Sequence, residues 1–323
     1  MSFNFKTAAV VAVAAFGAMA APAAAEYPEK SIRLIIPFGP GGATDTVGRM
    51  IATPLEQALG ESVIVANQPG AGGAVGIATM VQSRADGYTL AMGANDSLST
   101  RPLITESGYT LDDIEPVAMV AGGPIGIAVR GDIPYETLDD LAAAIDAGEN
   151  ITFSSPGVGT GPHLAAERFA RSTGGTATHI PAESVGESMI KLMSGEVTFV
   201  AGTGSNFPAR IGEGAEGVHV LGLFSEDRWN RLPDVPTGME QGYDIVAMQW
   251  FGIVAPKGTP AEAIDRLAGE IEAILSSPDA EDMLSNFHFS NLYQPPERLG
   301  EIMYEEAETL QPLLDELGML KEN

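Results

Sequence analysis

The chain has 323 residues, 45% hydrophobic and 19% charged, which is enough for two domains with well-buried cores. Its 43 acidic residues against 17 Lys and Arg give a formal net charge of −26, which disfavours nucleic acid or anionic lipid as a partner. The absence of cysteine excludes disulfides, thiolate metal sites and cysteine nucleophiles, and four histidines leave little material for a metal site. We expect neither a metal nor a cofactor.

The N-terminus has the order of a secretory signal peptide. Lys6 provides a positive first region, residues 7–19 form an apolar segment, and Ala23–Ala25 supply small residues for cleavage after Ala25. The apolar segment is short for a membrane span, and a membrane anchor is the alternative interpretation. We therefore predict that residues 1–25 are removed and that the mature protein is periplasmic.

Short apolar strands then alternate with glycine-rich turns and amphipathic helices. The predicted elements of this first part are strand 32–37, a helix from Asp45 to Leu59, strand 62–66, helix 71–82 and strand 88–92. Pro54 lies inside the first helix and predicts a kink or a restart there. Such alternation is typical of a parallel sheet covered by helices.

The apolar stretch 117–129, interrupted by Gly122–Pro124, predicts a strand that crosses between two lobes. The alternation resumes after it, with predicted helices at 137–147, 163–172 and 184–193 and predicted strands at 151–154, 178–181, 197–200 and 218–224. The apolar strand 250–255 predicts the return crossing, and two helices, 264–275 and one containing 299–317, complete the chain. We expect lobe 1 to comprise 26–123 and 250–323 and lobe 2 to comprise 124–249, with hinge closure over a cleft.

Two strand-to-helix turns are the candidate binding elements: 37–45 in lobe 1 and 154–163 in lobe 2. Both place glycines where a helix begins, and the free backbone N–H groups and positive helix end found there favour an anion. Ligands of open α/β sheets also bind beyond the carboxyl ends of the strands, where both turns must lie. The alternative is structural, since glycine-rich turns also make tight connections and cap helices.

The two candidate turns do not carry a motif for other chemistry. Neither turn is a P-loop, Gly157–Gly161 does not fit G-x-G-x-x-G, and neither G-x-S-x-G nor H-E-x-x-H occurs. His163 begins a predicted helix, where a local hydrogen bond or a ligand contact is favoured over catalysis. We therefore predict no catalytic residue and no enzymatic activity, with an enzyme on the same scaffold as the alternative.

Taken in order, these motifs resemble the receptors of tripartite tricarboxylate transporters, the Bug family of periplasmic solute-binding proteins. The similarity extends over nearly the whole chain after the signal, through 27–45, 67–73, 86–90, 155–164, 231–237 and 250–260. It implies an α/β, two-lobe periplasmic-binding-protein fold (type II, Venus flytrap), each lobe a mainly parallel sheet flanked by helices, with two crossover connections. It also implies a monomer that captures an organic carboxylate and delivers it to membrane permease subunits. A periplasmic sensor that signals to a partner is the alternative.

Carried over by position, the resemblance implies that both turns contact the ligand. The expected contacts are Phe38, Gly41, Gly42, Ala43, Thr44 and Asp45 in lobe 1 and Ser155, Gly157, Gly159, Thr160 and His163 in lobe 2. Further expected contacts at the cleft edge are Asn95, Glu183, Ser184, Thr203 and Ser205. The family usually has Tyr-x-Gly where this chain has Ala182–Ser184, so Glu183 either attracts a cationic group or faces solvent. Tricarboxylates, C4 dicarboxylates, acidic amino acids and aromatic carboxylates all remain open as ligands.

Overall fold

The computed structural model describes residues 27–212 and 214–321. The predicted signal peptide and its cleavage site after Ala25 lie outside the described residues. Among those described, no helix is both long and apolar enough to span a membrane.

Strands and helices alternate along most of the chain. The strands are β1 (Ile32–Ile36), β2 (Val63–Asn67), β3 (Thr89–Ala94), β4 (Ile114–Gly131), β5 (Thr152–Ser154), β6 (Thr178–His179), β7 (Phe199–Thr203), β8 (Gly214–Leu223), β9 (Met248–Pro256) and β10 (Ser290–Gln294). The helices are α1 (Ala43–Leu59), α2 (Ala74–Val81), α3 (Arg101–Ile104), α4 (Leu138–Asp146), α5 (Gly161–Ser172), α6 (Val185–Met193), α7 (Ala261–Leu275), α8 (Ala280–Ser285) and α9 (Pro296–Glu316). A π-helical segment, Asp96–Thr100, separates β3 from α3.

The strands form one hydrogen-bonded path in the order β2-β1-β3-β9-β4-β7-β5-β6, and β10 and β8 also pair with β4. Pairing is parallel within β2-β1-β3 and within β7-β5-β6. It is antiparallel wherever β4 or β9 takes part. The predicted parallel sheets are therefore limited to the three outer strands at each end, because the two crossing strands run in opposite directions.

β4 is one strand of 18 residues, without the break that the sequence suggested at Gly122–Pro124. Its residues up to Pro124 pair with β9, and those from Ile125 onward pair with β7 and β8. A Cβ on Gly122 would lie 2.4 Å from the Gln249 carbonyl oxygen, so glycine permits the close approach of β4 and β9 at this point. We retain the division at 123/124 and 249/250 as a proposal, which this change of partner supports.

Separate apolar cores lie on the two sides of this crossing. One side is built from β1 to β3, α1, α7 and neighbouring segments, and the other from β5, β7, α4 and α5. In α1 the fully buried Val47, Ile51 and Leu55 lie on one face and explain the helical spacing of apolar residues in the sequence. Pro54 lies within this continuous helix, so the expected restart is wrong: the packed apolar face holds the helix together across the lost hydrogen bond.

Short elements escaped the sequence patterns. α8, β10 and the π-helical segment are too short for apolar periodicity to be recognised. β7 was predicted at 197–200 but runs from Phe199 to Thr203, which places Thr203 at its carboxyl end. The π-helical segment begins one residue after β3, with Asn95 between them, and brings Asp96 close to the carboxyl end of that strand.

Candidate ligand-binding site

A cavity of about 40 Å³ lies where the N-termini of α1, α5 and α6 meet. Six of the predicted contacts border it: Phe38, Gly42, Ala43, Thr44, Ser184 and Thr203. A helix N-terminus carries unpaired N–H groups and a partial positive charge, so the ends of α1 and α6 favour an anion here. The α5 end borders the cavity through Pro162, which has no N–H group. Roughly 10–15 Å³ of such space holds one water, so the cavity accommodates a few waters and is small for a dicarboxylate. Entry of a larger ligand requires its walls to move apart.

The first turn is held in shape by Asp45. The carboxylate of Asp45 accepts hydrogen bonds from the Gly41 amide at 3.0 Å, from Arg49 Nε at 3.0 Å and from Asn67 Nδ2 at 2.8 Å. Burial acts to raise the pKa of Asp45, but the hydrogen bonds from these three groups outweigh it and hold the pKa below its ordinary value. Asp45 is 4% exposed, and we propose that it holds the turn rather than touches the ligand.

The residues at the start of α1 border the cavity. Gly42 occupies the N-cap and has no side chain with which to cap the helix. The N–H groups of Ala43 and Thr44 therefore have no intrahelical acceptor, and both residues border the cavity. Gly42 also brings the turn close to α6, because a Cβ built on it would lie 3.9 Å from the Cβ of Ser184. These amides are suited to bind a carboxylate oxygen.

The second turn is closed by hydrogen bonds of its own. The Thr160 hydroxyl donates to the Gly157 carbonyl at 2.9 Å and accepts from the His163 amide at 3.4 Å. The Gly159 amide donates to His163 Nδ1 at 3.2 Å. Burial lowers the pKa of His163 to about 3, so its imidazole is neutral at pH 7 and acts as an acceptor within the turn. Gly159, Thr160 and His163 do not border the 40 Å³ cavity, whose boundary from this turn is Pro156 and Pro162.

Ser155 and Ser184 also anchor loops. Ser155 Oγ lies 2.8 Å from Nε2 of His179, whose pKa burial lowers to about 4. Ser184 caps α6, with its Oγ accepting from the Glu187 amide at 3.2 Å. Ser184 thus caps α6 and borders the cavity, whereas Ser155 does not border it.

A second cavity of about 80 Å³ continues on the other side of Phe38 and Pro156, which border both. It is bordered by the loop Pro69–Gly73 and, across from it, by Gly157, Ala182 and Glu183. The loop was recognised as a motif but was not predicted to contact ligand. Glu183 is exposed, and its amide donates to Glu187 Oε2 at 2.8 Å. Glu183 therefore borders this cavity and is exposed to solvent.

Two predicted contacts lie elsewhere. Asn95 borders a different cavity, of about 340 Å³, between α5 and α9, and its Nδ2 donates to Glu306 Oε1 at 2.8 Å. Ser205 borders none of these three cavities, and its Oγ is buried without a hydrogen-bond partner among the described residues. As predicted ligand contacts, both stay predictions.

Two polar residues that the sequence did not single out border the 40 Å³ cavity. Asp96 is 3% exposed, and burial raises its pKa to about 6. Gln249 is 4% exposed and lies on the crossing strand β9. Asp96 is the second residue after β3 and follows the predicted contact Asn95, so its place beyond a strand end was a usable signal. Gln249 had no such signal, because its position depends on how β9 crosses the molecule.

Within residues 27–212 and 214–321, no group of three or more His, Asp or Glu side chains is placed to hold a metal ion. The chemistry of the cavity is instead that of hydrogen bonding at helix ends.

Comparison with known proteins gives consistent results. The family model for the tripartite tricarboxylate transporter family receptor matches residues 47–319. Protein BugT of Bordetella pertussis is 36% identical over 269 residues, covering 80% of this chain and 81% of that one. A structure of the periplasmic binding protein BugD, 27% identical, superposes with a TM-score of 0.83 and covers 92% of this chain and 100% of its own.

Two structures from Rhodopseudomonas palustris have the same fold at lower identity. Rpa4515 with adipate is 24% identical, with a TM-score of 0.86 and coverage of 91% and 99%. MatC with bound malate is 23% identical, with a TM-score of 0.81 and coverage of 89% and 100%. These likenesses confirm the predicted periplasmic-binding-protein fold. With the match over residues 47–319, they also confirm the resemblance seen in the motifs: the chain belongs to the family of tripartite tricarboxylate transporter receptors.

Proposed function

We propose that this protein is a periplasmic receptor that captures an organic carboxylate between its two lobes and delivers it to a tripartite tricarboxylate-type membrane transporter. The observation that carries the proposal is that two helix N-termini with free amides, those of α1 and α6, border one cavity. Family membership supports it, as do the adipate and malate bound by the two similar proteins.

The backbone can supply enough energy despite the acidic chain. The net charge of −26 is screened over about 8 Å at physiological salt, whereas the helix ends act at contact distance. A hydrogen bond to an ionised group contributes roughly 1.5–3 kcal/mol, and a helix end adds about 0.3–1 kcal/mol. A micromolar affinity requires about 8.2 kcal/mol net, which a few such bonds reach before the costs of ordering and desolvation.

The mechanism requires contacts on both sides of the cavity. Ala43 and Thr44 offer amides from the first turn, and Ser184 and Thr203 offer polar groups from the facing side. A ligand that touches both sides stabilises the arrangement in which they are close, so closure follows from differential affinity. The closed form is then the one that the transporter recognises.

A thermal-shift screen tests the carboxylate specificity. Mono-, di- and tricarboxylates and aromatic carboxylates are compared with matched amines and sugars, and a ligand at a hundredfold excess over its Kd adds about 2.7 kcal/mol of stability. Gly42→Val places methyl groups at the cavity wall on a backbone that suits valine (φ −81°, ψ 171°). Gly39→Val changes the same turn at a residue that does not border the cavity.

We expect shifts with carboxylates in the wild-type protein and in Gly39→Val, and none in Gly42→Val. If no carboxylate changes the melting temperature of the wild-type protein, the receptor proposal is wrong. Equal shifts in the two variants would place the binding site elsewhere.

A further inference from the structure

The 40 Å³ cavity is bordered by one ionisable side chain of the described residues, and that side chain is an acid, Asp96. Arg101 acts on Asp96 through space, but its Nη2 donates to the Val158 carbonyl at 2.8 Å. Of the described residues that border this cavity, none is a lysine, an arginine or a histidine. The charge that the cavity presents from its side chains is therefore negative.

Asp96 retains capacity for another donor. Its carboxylate accepts from the Ser97 amide at 2.7 Å, and the amides of Gly161 and of Asp96 itself also favour its ionised form. An ionised carboxylate offers about four acceptor sites. One acceptor site therefore remains on Asp96, which borders the cavity.

Gln249 supplies a second acceptor. Asn95 Nδ2 donates to the Met248 carbonyl at 3.3 Å, which directs Asn95 Oδ1 towards Gln249 Nε2 at 2.6 Å. This order of donors and acceptors fixes the Gln249 amide with its Oε1 on the other side. Oε1 is buried without a hydrogen-bond partner among the described residues, and it lies against Gly161, the same residue whose amide favours the ionised Asp96. A buried acceptor without a partner is costly, and a ligand donor removes that cost.

Resting on the carboxylate receptor proposed above, we propose that the ligand is an amino acid, with its carboxylate at the N-termini of α1 and α6 and its protonated amine on Asp96 and Gln249. An ammonium group carries three donors and no acceptor, which matches two acceptors on one side of a cavity. Phe38 and Phe251 also border the cavity, and aromatic faces attract cations.

The helix N-termini that remain available for the ligand carboxylate agree with this orientation of the amino acid. The N-terminus of α5 is already used by a carboxylate of the chain, because the Gly161 amide favours the ionised Asp96. The N-termini of α1 and α6 are left for the carboxylate of the ligand. A dicarboxylate without an amine would instead place its second negative charge towards Asp96 or leave Gln249 Oε1 unpaired.

Isothermal titration with matched compounds tests the inference on the wild-type protein. The pairs are L-aspartate with succinate and L-glutamate with glutarate, and N-acetyl-L-aspartate lacks the cationic amine. We expect at least one amino acid to bind at least tenfold more tightly than its partner without an amine. Succinate or glutarate binding as tightly as its amino acid would overturn the inference while leaving the carboxylate receptor intact, whereas no binding of any carboxylate would overturn the receptor itself.

A pair of variants tests whether Asp96 is the residue that distinguishes an amino acid from a dicarboxylate. Asp96→Asn removes the buried carboxylate, and Asp132→Asn makes the same change of net charge at a half-exposed position away from the cavity. We expect the ratio of amino-acid to dicarboxylate affinity to fall at least tenfold in Asp96→Asn and to be unchanged in Asp132→Asn. An unchanged ratio in a folded Asp96→Asn protein would refute the role of Asp96, and the comparison on the wild-type protein stands if that variant does not fold.

Discussion

Gly159→Ala is the perturbation that separates a turn that takes part in closure from one that only connects a strand to a helix. Gly159 has a φ of +76°, a left-handed conformation that costs an alanine about 1 kcal/mol. A Cβ on Gly159 would also lie 2.1 Å from Cδ1 of Ile104, in α3 on the proposed opposite lobe. The backbone strain lowers the stability of the fold, whereas the overlap with Ile104 arises only when the turn and α3 are close.

Gly148→Ala is the matched control. Gly148 has a φ of +74°, and nothing lies within 4 Å of the Cβ that the substitution adds. The backbone strain is therefore the same in Gly159→Ala and Gly148→Ala. Gly159→Ala alone must also displace Ile104, and overpacking of this kind costs typically 1–3 kcal/mol.

This cost falls on the closed arrangement, so it appears in ligand affinity. A penalty of 1–3 kcal/mol raises the apparent Kd about 5- to 150-fold. We expect that rise for Gly159→Ala and an unchanged Kd for Gly148→Ala, measured by isothermal titration with a carboxylate found in the thermal-shift screen. Urea unfolding measures the shared strain of about 1 kcal/mol in both variants. The same Kd in both, together with similar stabilities, would refute the closure of this turn against α3.

Three further predictions concern the groups that hold the site in shape. Asp45→Ala leaves the Gly41 amide without its acceptor and should lower the free energy of unfolding by about 1–3 kcal/mol at pH 7, whereas the half-exposed Asp132→Ala should cost less than about 1 kcal/mol in urea unfolding. Because the pKa of Asp45 is lowered, the stability that its carboxylate contributes is lost as the pH falls below about 3.8. Equal losses of unfolding free energy in Asp45→Ala and Asp132→Ala would contradict the role of Asp45 in holding the turn. Burial raises the pKa of Glu306 from 4.5 to about 7. The wild-type protein should therefore lose stability relative to Glu306→Gln as the pH rises from about 5 to 8. Parallel profiles of stability against pH in the two proteins would exclude a raised pKa for Glu306. Thr160→Ala removes the N-cap of α5 and should cost about 1 kcal/mol in urea unfolding, which Thr160→Ser should restore; a stable Thr160→Ala would contradict the cap.

Local features of this chain could be read from the sequence because each depends on neighbouring residues. Helical spacing of apolar residues predicted α1, and Gly60 ends it at the expected place with a φ of +75°. The glycines of the two turns predicted helix N-termini at a strand end, and four of the residues named from the first turn border one cavity, whereas none of those named from the second turn does. The family followed from ordered motifs of the same local kind.

The partners of each side chain were decided only by the tertiary structure. Asp45 is predicted as a contact from its place in the turn, yet its carboxylate is held by Gly41, Arg49 and Asn67. Gln249 lies within an apolar strand and becomes a polar wall of the cavity only because β9 crosses beside β4. Hydrogen bonding and burial depend on residues far apart in the chain, so sequence spacing places a turn at the site but not the direction in which its side chains point.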